Sequence, residues 1–430
     1  MEKSIFQIPL KVFHRCKFYP KSQYWTQNQI ESYQDDKLRK LIQHAGLNVP
    51  YYRNLFKEIK LDATNFRGRQ DLSKIPLLDK ETVRSKKEQL IAENAKKYGI
   101  TWDSTSGTTG TPLHFILDTV VQANKIAALL RSYRWAGYKL GMRTFSLQSY
   151  YFRDCDYKFN PFYNILRYDS NRLSQKSAPR VIERINKLKP SFFMGFPFDI
   201  VMLARYAGEA GLKIHPPKSI VTYGETLSDK KRKFLEYYFA CKVYDFFSMH
   251  ECSAMISECE YGHLHLIEDF AYHEIVEENG VSKLVGTSFY NYSMPLIRYK
   301  INDIIIPEQN EHSCLCDRKF RIIKKIVGKQ CDYIETPDGR ILGAVMSHSI
   351  DNAKGVMCSQ IVQTSIDHID VQLVVDDTFN NISEKNLEAG LRKRLGNSIT
   401  LTFKKVPQLD KADKGGKTPF IISKIGNTYM

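Results

Sequence analysis

No stretch of the 430 residues reaches the ~18 consecutive apolar residues that a membrane span requires. The opening segment, MEKSIFQIPLKVFHRC, lacks the apolar core of a secretory signal. Together these absences predict a soluble, cytoplasmic protein. The nine cysteines are odd in number and unevenly spaced, which argues against a disulfide framework and leaves metal ligation or free thiols. Internal repeats, low-complexity tracts and nucleic-acid-binding motifs are also missing. Acidic residues are in deficit, 47 against 63 Lys and Arg, and the net charge is +16. The basic residues are spread along the chain, with small clusters at Lys230–Lys233, Arg318–Lys325 and Lys404–Lys417. With no nucleic-acid motif beside them, anionic cofactors are a sufficient use for part of this charge, and peripheral association with a membrane is the other use left open. Nothing indicates an oligomeric state.

What is present suits a folded protein of at least two domains. Hydrophobic residues make up 43%, too many for disorder, and the length exceeds one ordinary core. Residues 28–46 read as an amphipathic helix, with Ile30, Leu38, Leu41 and Ile42 on its apolar side. Asp118 is placed to cap a helix running to about Trp135. Strands and helices then alternate: strands at Arg143–Leu147, Ser191–Met194, Ser219–Tyr223 and Lys242–Phe246, helices at Pro179–Lys189, Phe198–Ala210 and Ser228–Phe239. This alternation predicts an α/β fold, a parallel sheet with helices on both faces, whose ligands bind at the C-terminal ends of the strands. From about residue 265 the pattern turns to strands, at His265–Ile275, Lys283–Tyr290, Ile304–Pro307 and Phe320–Val327, which predicts a β subdomain. Residues 329–430 read as a smaller α+β domain following the large one at 1–328. It has a hairpin around Asp338-Gly339, a helix near Val345–Asn352, strands at Cys358–Thr364, Val371–Val375 and Ile399–Phe403, and a helix Ser383–Leu395 capped by Ser383.

The stretch with most chemical content is Ser104-Thr105-Ser106-Gly107-Thr108-Thr109-Gly110-Thr111-Pro112, six hydroxyl residues and two glycines in nine positions. It makes a poor helix and a poor strand, but its glycines let backbone N–H groups approach an anion and its hydroxyls add donors. The Walker pattern is excluded, because no Gly-Lys-Ser/Thr follows this loop. The order of residues resembles the phosphate-binding loop of the acyl-adenylate-forming enzymes. It most resembles the phenylacetate–coenzyme A ligase-like branch, which includes relatives encoded with capsular polysaccharide biosynthesis. Thr111 stands where that family often carries Lys.

Further motifs follow in family order, from about residue 38 to 425. Tyr223-Gly224-Glu225-Thr226-Leu227-Ser228 is similar to a turn that lies along adenine. Asp245-Phe246-Phe247-Ser248-Met249-His250-Glu251 resembles a segment whose aromatic stacks on adenine, whose hydroxyl meets the α-phosphate and whose Glu helps hold Mg²⁺. Here Phe247, Ser248 and His250 replace Tyr, Gly and the hydroxyl residue. Met294-Pro295-Leu296-Ile297-Arg298-Tyr299-Lys300-Ile301-Asn302-Asp303 matches a ten-residue stretch whose Asp accepts hydrogen bonds from the ribose hydroxyls. Val327-Gly328-Lys329-Gln330-Cys331-Asp332 resembles the junction about which the small domain rotates. Lys414-Gly415-Gly416-Lys417 matches the family's Gly-Lys, so the resemblance assigns Lys417 to the substrate carboxylate and the α-phosphate, with Lys414 as an alternative.

Cys259-x5-His265 and Cys314-x-Cys316 supply three thiols and an imidazole, a tetrahedral zinc set. Cys252 and His263 are alternative ligands. Several members of this branch carry the same pattern as a structural zinc site.

The resemblance implies an adenylate-forming ligase. ATP and Mg²⁺ would convert a carboxylic acid to an acyl-adenylate, and coenzyme A would then take the acyl group. A first alternative transfers the acyl group to an amine or a sugar hydroxyl in surface polysaccharide biosynthesis. A second is a non-catalytic nucleotide-binding relative, marked by the substitutions at Ser248, His250 and Asn302. The identity of the acid is not encoded in any motif.

Overall fold

The computed structural model describes residues 2–104, 113–148, 150, 152, 154–224, 227, 229–278, 281–310, 314–328, 334–342, 353–407 and 421–425. The helix Gln27–Asn48 starts at a capping box in which Thr26 and Gln29 satisfy each other's backbone donors. It buries Ile30, Leu38, Leu41 and Ile42, as the apolar spacing requires. An additional helix, Glu2–Ser22, precedes it. Charges recur along this segment and mask its period, and it is held against the helix Thr119–Trp135 by Tyr19 Oη donating to Asn124 Oδ1 (3.0 Å) and Lys11 Nζ to Thr119 Oγ1 (2.7 Å).

Strands β1 (Ile100–Ser104) and β2 (His114–Asp118) form an antiparallel hairpin whose last pair is Ser104 with His114. The main sheet comprises β3 (Thr144–Gln148), β4 (Tyr157–Asn160), β5 (Ile165–Asp169), β6 (Phe192–Gly195), β7 (Ser219–Thr222), β8 (Lys242–Ser248), β9 (Met255–Glu258), β10 (Leu264–Leu266), β11 (Ala271–Glu278), β12 (Val281–Ser288), β13 (Tyr299–Pro307) and β14 (Ile322–Gly328). These twelve strands run in the order β11-β12-β13-β14-β10-β9-β8-β7-β6-β3-β5-β4. β5, β3, β6, β7 and β8 are mutually parallel. All four residues of β7 are buried, as a strand covered on both faces demands. The covering helices are Ala178–Leu188, Pro197–Glu209 and Asp229–Phe239; the first buries Val181, Ile182 and Ile185.

The antiparallel half continues the same sheet through the pairing of β8 with β9. The strand expected at His265–Ile275 is divided. β10 lies in the middle of the sheet beside β9 and β14, whereas β11 forms its far edge, so the chain must leave and return. The turn between them carries two buried acids: Asp269 pairs with Arg131 (2.5 Å) and Glu268 with Arg321 (2.7 Å). Gly286 on β12 belongs to the same region. A Cβ there would lie 2.1 Å from the carbonyl oxygen of Ser253, so only glycine lets that loop seat on the strand.

The C-terminal unit has its own core of Ile361, Val371, Leu373, Leu387, Leu391 and Leu395. It contains a small hairpin, β15 (Ile334–Glu335) with β16 (Ile341–Leu342), and a sheet of β17 (Val356–Ser365), β18 (His368–Val375), β19 (Thr400–Lys405) and β20 (Ile421–Ser423) in the order β19-β18-β17-β20. Its helix runs Asn381–Leu395 and is capped by Asn380 rather than Ser383. The Asn380 carboxamide reaches the N–H groups of Ile382 (2.9 Å) and Ser383 (3.1 Å). The expected helix at Val345–Asn352 lies outside the described residues. Arg340 joins this unit to the large one, donating to Leu395 O (2.8 Å) and, across the boundary, to Asn171 O (3.2 Å). Tyr206 Oη donates to Gly339 O at the same contact.

Candidate functional site

The candidate site gathers at the C-terminal ends of the parallel strands. The hydroxyl–glycine run falls in the chain between β1 and β2. Ser104 is described; Thr105, Ser106, Gly107, Thr108, Thr109 and Gly110 lie outside the described residues, as do Glu225, Lys329, Lys414 and Lys417. The hairpin's base is fixed by Asp118. One of its oxygens caps the helix Thr119–Trp135 through Val120 N (2.9 Å) and Val121 N (2.8 Å); the other accepts from Tyr292 N (2.9 Å) and Ser293 N (3.3 Å). Burial raises the Asp118 carboxyl pKa, opposed by these four backbone donors.

Gly224, two residues beyond β7, has φ +80, and a Cβ there would stand 2.6 Å from the Phe196 ring. The turn can pass under that aromatic only as glycine. Neighbouring β8 carries Asp245, Phe247 and Ser248, all half-buried, with Asp245 level with Thr222 of β7. Asp245 N donates to Glu258 Oε2 (2.8 Å), and Glu258 is clamped by Arg232 (2.7 Å). Burial, then the charge of Glu258, push the Asp245 carboxyl up to about 7, and Arg232 opposes them.

A tight turn follows β8, closed by Met249 N to Ala254 O (3.0 Å), with Cys252 in the left-handed region at φ +59. His250 stands exposed at its tip, and Lys125 Nζ donates to the carbonyls of Met249 and His250 (3.5 Å each). Glu251 turns inward and is buried. Its Oε1 accepts from Tyr299 Oη (3.2 Å), and the Tyr299 pKa is raised by burial and then by the Glu251 charge. A buried carboxylate is the right donor for a hard cation that also meets phosphate oxygens. Asp303 is buried at an irregularity in β13, where Leu284 pairs with Ile301 but Lys283 already pairs with Ile304. Such a bulge re-aims the side chains it contains. It lies beside the pair Ile304–Gly328, immediately before Lys329.

Tyr299 and Lys125 are the residues that motif reading missed. Tyr299 lies in the stretch Met294–Asp303, but its partner Glu251 is 48 positions away. Arg298, from the same motif, is structural: it grips Glu274 (2.8 Å) and the carbonyls of Ser73 and Ile75.

The four sulfur and imidazole residues do come together. The ligand atoms of Cys259, His265, Cys314 and Cys316 all lie within 4.8 Å of one another. Cys259 and His265 flank the β9–β10 hairpin; Cys314 and Cys316 come from the segment between β13 and β14. Cys259 Sγ is 3.6 Å from Cys314 Sγ, against about 3.8 Å for two thiolates on a tetrahedral ion with ~2.3 Å bonds. His265 Nδ1 donates to Phe320 O (3.0 Å), which fixes the tautomer and leaves Nε2 facing Cys316 Sγ (3.3 Å). The Cys316 thiol is held well below its usual range, first by a hydrogen bond from Cys259 and then, against burial, by His265. Trp135 packs edge-on to His265, and Arg318 stacks on Trp135 at 4.3 Å. Of the alternative ligands, Cys252 bonds to His250 O instead, and His263 touches the quartet from outside, Nδ1 3.1 Å from Cys314 Sγ. The donor set fits zinc.

Comparison with known proteins finds similarity along most of the chain. The family described as "CapK C-terminal domain" matches residues 334–424. The chain is 26% identical to protein CapK of Staphylococcus aureus over 93% of its own length and 90% of that protein's. It is 23% identical to the phenylacetate–coenzyme A ligase of Thermus thermophilus, covering 74% of each. Among solved structures, 2-hydroxyisobutyryl-CoA ligase in complex with its acyl-AMP and CoA superposes with a TM-score of 0.64 at 18% identity, covering 94% of this chain and 91% of that one. The fold is therefore that of the adenylate-forming ligases, with a separate C-terminal domain. Among the described residues, no helix is long and apolar enough to cross a membrane.

Proposed function

We propose, for a chain that belongs to the phenylacetate–coenzyme A ligase-like branch of the adenylate-forming enzymes, on the side that CapK represents, that it activates a small carboxylic acid with ATP and passes the acyl group to a thiol, that of coenzyme A. A carboxylate oxygen attacks the α-phosphorus, a P–O bond forms and pyrophosphate leaves. The thiol sulfur then attacks the acyl carbon, AMP leaves and the thiol proton is released. The first step needs alignment and charge neutralisation more than a protein nucleophile.

The observation that carries this reading is the convergence of Gly224, Phe247, Ser248 and the Glu251–Tyr299 pair at the ends of β7 and β8. In it, Ser104–Gly110 hold the phosphates, Gly224, Glu225, Asp245 and Phe247 border the adenine, and Asp303 takes the ribose. Glu251 holds Mg²⁺, which bound there would neutralise phosphate charge, and His250 donates to phosphate. Lys417 arrives from the small domain, 329–430, which turns about Lys329 relative to 1–328. The Cys259/His265/Cys314/Cys316 set holds a structural zinc that pins the loop between β13 and β14 to the β9–β10 hairpin.

A second reading keeps the activation step and changes the acceptor to an amine or a sugar hydroxyl. What favours it is the higher and longer similarity to protein CapK, 26% over 93% of the chain, than to the phenylacetate–coenzyme A ligase, 23% over 74%.

Pyrophosphate release with ATP, Mg²⁺ and a panel of aryl, fatty, amino and hydroxy acids, each with and without coenzyme A, tests both. Turnover on one acid that requires coenzyme A is expected. Release independent of coenzyme A moves the proposal to the second acceptor. ATP binding with no release for any acid overturns the ligase reading.

A further inference from the structure

The candidate site uses the C-terminal ends of the parallel strands; their opposite ends carry a different surface. β3, β5, β6 and β7 begin level with one another, Thr144 facing Ile165 and Phe192, and Phe192 facing Ser219. The segments entering them are tied into one rim. Asn164 Nδ2 donates to Gly141 O (2.9 Å), Ser191 N to Arg143 O (2.9 Å), Lys218 N to Ser191 O (2.8 Å) and Asn186 Nδ2 to Lys213 O (2.8 Å).

The charge of this rim has one sign. Residues 136–143, 157–164, 187–191 and 210–218 contain no Asp or Glu. They expose Lys139, Arg143, Lys187, Lys189, Lys213 and Lys218. Of the two acids adjoining them in sequence, Glu209 is engaged by Gln175 Nε2 (3.2 Å) and Asp156 by Arg172 (3.0 Å).

Large apolar side chains stand in water at the same rim: Phe162 is 85% exposed, Leu140 77% and Tyr163 52%. The first and last of these sit on a braced turn between β4 and β5. Tyr163 N donates to Asn160 Oδ1 (3.0 Å), Asn164 N to Pro161 O (3.3 Å), and Asn164 adopts φ +51. Phe162 and Tyr163 pack edge to face at 4.9 Å. A fixed turn that presents two aromatics beside an exposed Leu, within a ring of lysines, has the make-up of an interfacial anchor.

We propose that this rim docks peripherally on an anionic phospholipid bilayer, with Phe162, Tyr163 and Leu140 entering the headgroup region and the basic residues meeting lipid phosphates. A nucleic acid would also draw the lysines, but an exposed aliphatic Leu gains nothing from a base, whereas the bilayer interface accepts aliphatic, aromatic and cationic groups together. Docking in this orientation turns the C-terminal ends of the strands away from the lipid, so that the candidate site stays open to water-soluble nucleotides.

Vesicle co-sedimentation of the full chain tests this. Binding is expected to vesicles of phosphatidylcholine with about 30 mol% phosphatidylglycerol, to be weak on pure phosphatidylcholine, and to fall as salt rises from about 0.1 to 0.5 M. Two variants separate the parts. Leu140→Ser with Phe162→Ser changes only exposed apolar groups and should lower partitioning about ten-fold or more. Lys139→Glu with Lys187→Glu should lower it by about five-fold for each lysine lost. Both should keep the wild-type melting temperature and ATP binding. Absence of binding to anionic vesicles by the wild-type chain overturns the proposal. So does vesicle binding that neither variant weakens, and so does capture of single-stranded RNA, sensitive to both variants, in place of vesicles.

Discussion

The sulfur–imidazole cluster and the candidate nucleotide residues, which share the main sheet except for Ser104 on the β1–β2 hairpin, are built on opposite plans. The cluster draws its four residues from one hairpin and one loop, and Cys259, His265 and Cys316 are buried. The candidate nucleotide residues come from segments as far apart as Ser104 and Asp303, on a hairpin, two strand ends, a turn and a bulge. A closed quartet leaves no position for a substrate and can only hold structure. A site assembled from many segments can admit a ligand and release it. On the proposed reading, the cluster holds structure and the chemistry falls to residues gathered from distant segments.

Perturbing each side separately should break the comparison if it is wrong. The largest effect belongs to the candidate site: Lys417→Ala should lower adenylate formation about a thousand-fold, while thioester formation from supplied acyl-adenylate is little changed. Equal loss in both half-reactions would remove the role assigned to Lys417. Glu251→Gln should lower the adenylation rate about a hundred-fold and raise the Mg²⁺ concentration for half-maximal rate, with the melting temperature nearly kept; an unaltered Mg²⁺ requirement would place the cation elsewhere. For the cluster the pattern inverts. Elemental analysis should find one zinc per chain, and its removal should lower the melting temperature by about 10 °C, with activity lost only as the fold melts. A metal-free protein of unchanged melting temperature would sink the structural role.

The smallest effect concerns Asp245, between the two regions. Its carboxyl, pushed up to about 7 by burial and Glu258, binds a proton more tightly folded than unfolded. That contribution is fully present below the ordinary carboxylate pKa and is lost as pH rises from about 4 through 7. Asp245→Asn should flatten the decline in melting temperature over this window, raising it by about 2 °C at pH 8. An unchanged pH profile would show that Asp245 is ionised throughout.

The motifs were legible because their chemistry demands particular residue types at short spacing. Cys-x-Cys, whose thiols meet Cys259 and His265 in one cluster, is of this kind, while the hydroxyl–glycine run lies outside the described residues. The parallel strands β3, β6, β7 and β8 were equally plain, since buried strands and one-sided helices have recognisable patterns, whereas β4 and β5, in the same stretch, were not read. Other features are set by distant partners and were not. Tyr299 becomes a site residue only when β13 brings it to Glu251. β10 and β11 read as one strand because the turn between them holds acids whose partners, Arg131 and Arg321, lie elsewhere in the chain. The cap of the helix Asn381–Leu395 was misassigned by three residues because both Asn380 and Ser383 are good caps, and only geometry selects between them.

Gly286 has a consequence on an evolutionary scale. Any other residue would collide with Ser253, two positions from Glu251, so every descendant that keeps this loop must keep this glycine. It is a position where mutation is silenced by contact with a neighbour's backbone, which drift cannot alter. Among relatives whose side chains have diverged beyond easy alignment, such a position is a fixed point from which the remaining residues can be numbered.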